Sequence, residues 1–219
     1  QHGHGVNKDY FEAVKWYRKA AEQGDAGGQY NLGFMYQLGF GVNKDHYESV
    51  KWYRKAVEQD LAVGQNNLGY MYSNGYGVEK DDYEAAKWYH KAAEQGNAEG
   101  QDNLGNAYFA GRGVKKDDAE ALKWYRRAAE QGVASSQCQL GLMYLTGTGI
   151  QNDDYKAVKW LRKASEQGNV GGQTWLGYMY EKGYGVPKSE KQAVNLYKKA
   201  AKQGYKLAQE KLTKLGESW

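Results

Sequence analysis

Four groupings of residues in this chain have types and spacing that could do chemistry. His2 and His4 form a His-x-His pair of the kind that ligates metals, and Cys138 is the single thiol. Asp81-Asp82 and Asp153-Asp154 are acidic doublets that could move protons, and Gly-x-Gly triplets such as Gly39-Phe40-Gly41 resemble pieces of a phosphate cradle. Each falls short of what its chemistry requires. A zinc-type site needs further ligands at set spacing, and no cysteine or carboxylate cluster flanks the two histidines. His46 and His90 stand where other copies of the same pattern carry Asp or Arg, which reads as exposed substitution. A thiol nucleophile needs a base and an activating environment, yet no histidine adjoins Cys138. A phosphate cradle requires a preceding strand, whereas these triplets follow helical stretches. The acidic doublets fall where helices begin, a position the helix dipole already explains. The expectation is a chain with no catalytic residue, no metal and no cofactor.

What surrounds these groups is more informative. At a constant interval of 36 residues the chain repeats one phrase: AVKWYRKAAEQG from Ala13, SVKWYRKAVEQD from Ser49, AAKWYHKAAEQG from Ala85. It continues as ALKWYRRAAEQG from Ala121, AVKWLRKASEQG from Ala157 and AVNLYKKAAKQG from Ala193. A fixed period of this length, without insertion, marks a solenoid whose units share one elongated core.

Each unit reads as two helices. In the unit from Leu61 to Gly96, residues Ala62, Leu68, Gly69 and Tyr72 lie on one side of a first helix. Gly75 supplies a left-handed C-terminus. The second helix starts at Asp81 with Glu84 three residues on, a capping box, and Gly96 stops it. The box recurs as Asp9 with Glu12, Asp45 with Glu48, and Asp117 with Glu120; Ser189 with Gln192 is a variant, and Lys156 breaks it after Asp153. Asp60 stands where the other copies have the stopping glycine, which predicts a looser turn there.

The phrase AxxxLGxxYxxGxGV followed by KAxxWYxKAAEQG resembles the Sel-like repeat family, relatives of tetratricopeptide repeats, over essentially the whole chain. The resemblance implies an all-α fold: a right-handed α/α superhelical solenoid of antiparallel helix pairs, first helices lining the concave face. As a single solenoid over 1–219, the expected divisions are a partial repeat 1–24, full repeats 25–60, 61–96, 97–132, 133–168 and 169–204, and a capping helix 205–219. Twelve helices follow. Gly33, Gly69, Gly105, Gly141 and Gly177 would let the paired helices approach where Ala20, Ala56, Ala92, Ala128 and Ala164 are also small. Trp16, Trp52, Trp88, Trp124 and Trp160 would fill the space between units, with Leu196 in the last. The first helix of the chain, over 9–23, should expose the face its missing partner covered.

Positions common to all copies serve the fold, and those that differ are released for other work. Variation in the first helices runs along one stripe at i, i+4 and i+7: Tyr30, Phe34 and Gln37; Asn66, Tyr70 and Ser73; Asp102, Asn106 and Phe109. It continues through Cys138, Leu142 and Leu145 and ends with Thr174, Tyr178 and Glu181, with Trp175 alongside. The stripe is apolar for a solvated face, and such a patch usually marks binding, with aromatic anchors. These residues, Cys138 excepted, are the expected partner contacts; mutual burial of adjacent first helices is the competing account. The invariant Gln29, Gln65, Gln101, Gln137, Gln173 and Gln209 read better as a structural ladder than as ligands.

Charge is nearly balanced, 30 Lys and Arg against 26 Asp and Glu, and the bases recur in every unit rather than clustering. That speaks against nucleic acid. No apolar run approaches the ~20 residues that span a bilayer, so a soluble chain without membrane insertion is expected. QHGHGVNKD from Gln1 aligns with QLGFGVNKD from Gln37, so the chain opens inside a unit and reads as a fragment or processed product; compartment and oligomeric state stay open. The resemblance implies a non-enzymatic scaffold or adaptor that binds a protein or peptide along its concave groove, or alternatively an immunity-type inhibitor of an effector enzyme.

Overall fold

The computed structural model describes residues 9–219, and the His2–His4 pair lies outside them. Twelve α-helices follow one another, with no strand among the described residues. They are α1 Tyr10–Glu22, α2 Ala26–Leu38, α3 His46–Val57, α4 Ala62–Asn74, α5 Asp82–Glu94 and α6 Ala98–Ala110. Then come α7 Asp118–Glu130, α8 Ala134–Thr146, α9 Asp154–Glu166, α10 Val170–Lys182, α11 Glu190–Ala201 and α12 Lys206–Lys214. Even-numbered helices are the first of each pair and odd-numbered ones the second. The described residues group into two compact units, one of residues 9–107 with 111–115, the other of 108–110 with 116–219.

The caps explain where helices start. Asp9, Asp45, Asp81, Asp117, Asp153 and Ser189 each accept a hydrogen bond from a backbone N–H two or three residues on. Asp153 caps without its acidic partner, so Lys156 breaks the sequence pattern but not the cap. The reciprocal half of the box is absent for a specific reason. The N–H of each later cap donates instead to the preceding first helix: Asp45 to the Tyr36 carbonyl, Asp81 to Tyr72, Asp117 to Tyr108, Asp153 to Tyr144 and Ser189 to Tyr180. Glu12, Glu48, Glu84 and Glu120 turn to the lysine three residues on, a pairing that contributes only tenths of a kcal/mol at a surface.

Packing corrects two expectations about small residues. A Cβ on Gly33, Gly69 or Gly177 would meet the ring of Tyr53, Tyr89 or Tyr197 at 2.8–2.9 Å, and one on Gly141 would meet Leu161 at 2.7 Å. Those glycines make room for a large buried side chain of the paired helix. The alanines meet a different row: Ala20, Ala92 and Ala164 lie against Gly28, Gly100 and Gly172. Trp52 and Trp124 are buried as expected, with Trp88 and Trp160 half-buried. Trp16 is not: it is 60% exposed, and Phe11 on the same helix is 73% exposed. Trp52 packs into a cluster with Val14, Ala21, Leu32 and Met35 of the preceding helices, and among the described residues no preceding helix offers Trp16 the same shelter.

The turn at Asp60 keeps the common backbone conformation but closes more loosely, as expected: the Leu61 N–H lies 3.5 Å from the Ala56 carbonyl, against 3.0–3.2 Å in the other copies. Asp60 adopts φ +57°, the left-handed conformation that Gly24, Gly96, Gly132, Gly168 and Gly204 hold in the other copies. The glutamines form the expected ladder through a second set of amides. Gln59, Gln95, Gln167 and Gln203 donate to the side-chain carbonyls of Gln29, Gln65, Gln137 and Gln173 at 2.8–3.0 Å. Gln59, Gln167 and Gln203 also reach the carbonyls of Gly24, Gly132 and Gly168, one repeat back.

Candidate functional site

The variable stripe of the first helices resolves into three rows with different surroundings. Its first row is largely interior. Thr174 is 1% exposed with its hydroxyl donating to the Val170 carbonyl at 2.8 Å, and Asn66 is 8% exposed and accepts from Asn103 Nδ2 at 2.9 Å. Cys138 is buried against Gly171 of the next first helix. Within each unit consecutive first helices meet along this row, so Asn66 and Thr174 are packing residues and not accessible contacts. Tyr30 and Asp102 are half-buried, and Tyr30 stacks on both Phe34 and Tyr53.

The third row sets the register between paired helices. Tyr53, Tyr89 and Tyr197 send their buried hydroxyls to Gln37 at 2.6 Å, Ser73 at 3.1 Å and Glu181 at 2.7 Å. The second helix of one pair carries Leu161 instead, and there the row carries Leu145, both in one apolar cluster. Phe109 lies with its ring 6.4 Å from that of Tyr125. Burial pushes the phenols of Tyr53 and Tyr197 well above their usual range. Burial works to raise the Glu181 carboxyl as well, but bonds from Lys182 and Tyr197 and the charge of Lys211 hold it below its ordinary value.

The middle row is partly open, as is Phe109 of the third row at 38% exposure. Phe34, Asn106, Leu142 and Tyr178 are half-buried and Tyr70 is 40% exposed. Their rings touch loop or neighbouring aromatics: Tyr70 with Tyr76 at 6.0 Å, Tyr178 with Trp175 at 5.6 Å and Tyr184 at 6.0 Å. Lys211 sits 4.8 Å over the Tyr178 ring. In the N-terminal unit this row borders a pocket of about 190 Å³ lined by Tyr70, Ser73, Tyr89, Asn103, Asn106 and Arg112, with Asp82 and Ala107. Asn103 and Arg112 lie off the variable stripe. Asn103 belongs to a row of amides, Asn31, Asn67 and Asn103, one residue before the invariant leucine, and its constancy within the unit was the available signal.

Two expectations about titratable groups meet different outcomes. Burial pushes the Cys138 thiol up to about 11, which leaves little thiolate at neutral pH. His46 is not a free surface residue: its ring stacks on Tyr76 at 4.7 Å. Among the described residues no group of three or more His, Cys, Asp or Glu is placed to hold a metal ion, and no helix is long and apolar enough to cross a membrane.

Tandem helical hairpins with constant packing rows and a variable, partly open middle row define a repeat protein of the interaction-scaffold class. The Sel1 repeat family profile matches residues 1–25, 26–61, 62–97, 98–133, 134–169 and 171–205, and the chain belongs to that family. Its members generally form a non-catalytic, protein-binding solenoid. The chain is similar to the crystal structure of c5321, a protective antigen of uropathogenic Escherichia coli with an SLR fold. The two share 43% identity at a TM-score of 0.85, over 94% of this chain and 44% of that one. It is also similar to a Sel1 repeat protein from Oxalobacter formigenes, at 35% identity and TM-score 0.81, over 92% of this chain and 86% of that one. The immunity protein Pa5087 of Pseudomonas aeruginosa, 24% identical with a TM-score of 0.55 over 90% of this chain and 76% of that one, shares the fold alone. The chain thus spans less than half the length of c5321. No curated protein matches it.

Proposed function

We propose that this chain is a non-catalytic scaffold that holds a segment of another protein against its first helices. Contacts come from the middle row, Phe34, Tyr70, Asn106, Leu142 and Tyr178, with Trp175, Tyr30, Asp102 and Phe109 beside it. Gln37, Ser73, Leu145 and Glu181 shape the groove floor from the helix-pairing side. One observation carries the reading: positions identical in every repeat are consumed by packing, while the middle row differs from repeat to repeat and keeps rings such as Tyr70 partly open. Exposed aromatic side chains bring contact area at low entropic cost, which is why they dominate protein recognition.

Panning a random peptide library against the purified chain tests this. Selected peptides should lose about tenfold or more in affinity when Tyr70→Ala and Asn106→Ala are combined, while Tyr83→Ala, on the second-helix side, leaves binding unchanged. Peptides that respond to Tyr47→Ala or Tyr83→Ala and ignore the groove pair would overturn the assignment.

A further inference from the structure

The repeats act as controls for one another, and the third first helix, α6, breaks their pattern at one place. Ala107 stands where the other repeats carry the buried methionines Met35, Met71, Met143 and Met179. Asn106 replaces Phe34, Tyr70, Leu142 and Tyr178. Arg112 replaces Phe40, Tyr76, Thr148 and Tyr184 in the following turn. In the two preceding repeats that turn residue closes onto the start of a second helix, Phe40 stacking on Tyr10 at 4.8 Å and Tyr76 on His46 at 4.7 Å. At the third repeat the corresponding pair is Arg112 and Asp82, which form no ion pair with each other among the described residues and stand on the wall of the pocket. Three departures, each removing bulk or adding a polar group, coincide in one cavity. A fold-driven sequence would have kept the methionine, because truncating a buried large side chain loses its burial and leaves a cavity.

The lining selects its occupant by hydrogen-bond type. Arg112 only donates and the Asp82 carboxylate only accepts, while the Asn103 and Asn106 amides do both; Ser73 is already engaged, donating to the Tyr70 carbonyl and accepting from Asn74 and Tyr89. Asp82 repels a carboxylate that Arg112 attracts, and Arg112 repels an ammonium that Asp82 attracts, so neither charge gains on balance for the water it gives up. An apolar group would strip water from all of these and return nothing. A primary carboxamide is neutral, carries an acceptor oxygen and a donor NH₂ on one plane, and brings an apolar methylene stem to a pocket that Tyr70 also lines. We propose that this pocket receives a glutamine or asparagine side chain of the bound segment, an inference that rests on the groove reading above.

The probes are N-acetyl-glutamine N-methylamide and its glutamate and lysine counterparts, titrated into the ¹⁵N-labelled full chain by NMR. The glutamine probe should shift the Asn103 and Asn106 side-chain amides and Arg112 Nε saturably, with the two charged probes about tenfold weaker. Ala107→Met, which restores the residue four other repeats carry, should fold normally and abolish those shifts. Equal or tighter binding of glutamate or lysine overturns the carboxamide assignment, and so does an Ala107→Met chain that titrates like its parent. The two readings separate: missing probe shifts while panned peptides still respond to Tyr70 and Asn106 overturn the pocket alone. Loss of both responses overturns groove and pocket together.

Discussion

His46 occupies a place where charge and stacking compete. Its ring lies 4.7 Å from Tyr76 at an interplanar angle of 19°. Burial lowers its pKa first, Lys44 adds to the effect, and Asp45 opposes it. The fold therefore favours the neutral imidazole, and the unfolded chain takes up the proton at a higher pH. The stability this preference contributes is present above about 6.5, the ordinary value for histidine, and declines as pH falls through the folded value. The denaturation midpoint of the parent should thus drop between about pH 7.5 and 5.5 by more than that of His46→Tyr, which rebuilds the two-ring stack seen between Tyr10 and Phe40. His90, beside Glu94 at 3.4 Å, is present in both proteins and cancels in the difference. Parallel profiles for the two chains would show that His46 is not the group responsible.

Each second helix ends on a residue in the left-handed region, and five of the six described examples use glycine. Asp60 takes the same conformation with a Cβ and with a negative charge at a helix C-terminus, and both are unfavourable. Its carboxylate recovers part of this by accepting from Gln65 Nε2 at 3.3 Å, a long bond. Asp60→Gly should stabilise the chain by about 0.5–1 kcal/mol, read from urea midpoints at constant slope; a loss of stability would mean the Gln65 contact outweighs the backbone relief. Helix starts and stops were legible in the sequence because caps and terminal glycines act within four residues. The partner of each helix face was not. Spacing placed Gly33 and Ala20 on inward faces, yet only the angle between helices decides that Gly33 meets Tyr53 and that Ala20 meets Gly28. For the same reason Asn66 and Thr174 read as groove residues although adjacent first helices cover them, whereas Tyr70, four residues along the same helix from Asn66, stays open.

Repetition made the fold readable and left the site half-hidden. A period of 36 exposes every departure, but departures on two different elements gain meaning only when the fold brings them together, as it does Ala107, Arg112 and Asp82. The same repetition shapes how stability is distributed. In a repeat array each hairpin is held by its neighbours, so helices packed on one side only should open first. α1 exposes Phe11 and Trp16, whose counterpart Trp52 is 6% exposed within a full set of contacts. α12 has only nine residues and no side-chain bond at its N-cap. Hydrogen exchange on the chain as it stands should therefore show α1 and α12 amides exchanging at least about tenfold faster than those of α4 and α9, with protection rising inward from both ends. Its midpoint of protection should not move with protein concentration, since nothing in this gradient depends on a second copy. Uniform protection across all twelve helices would mean that the array opens only as a whole, and the nearest-neighbour account of its stability would fail.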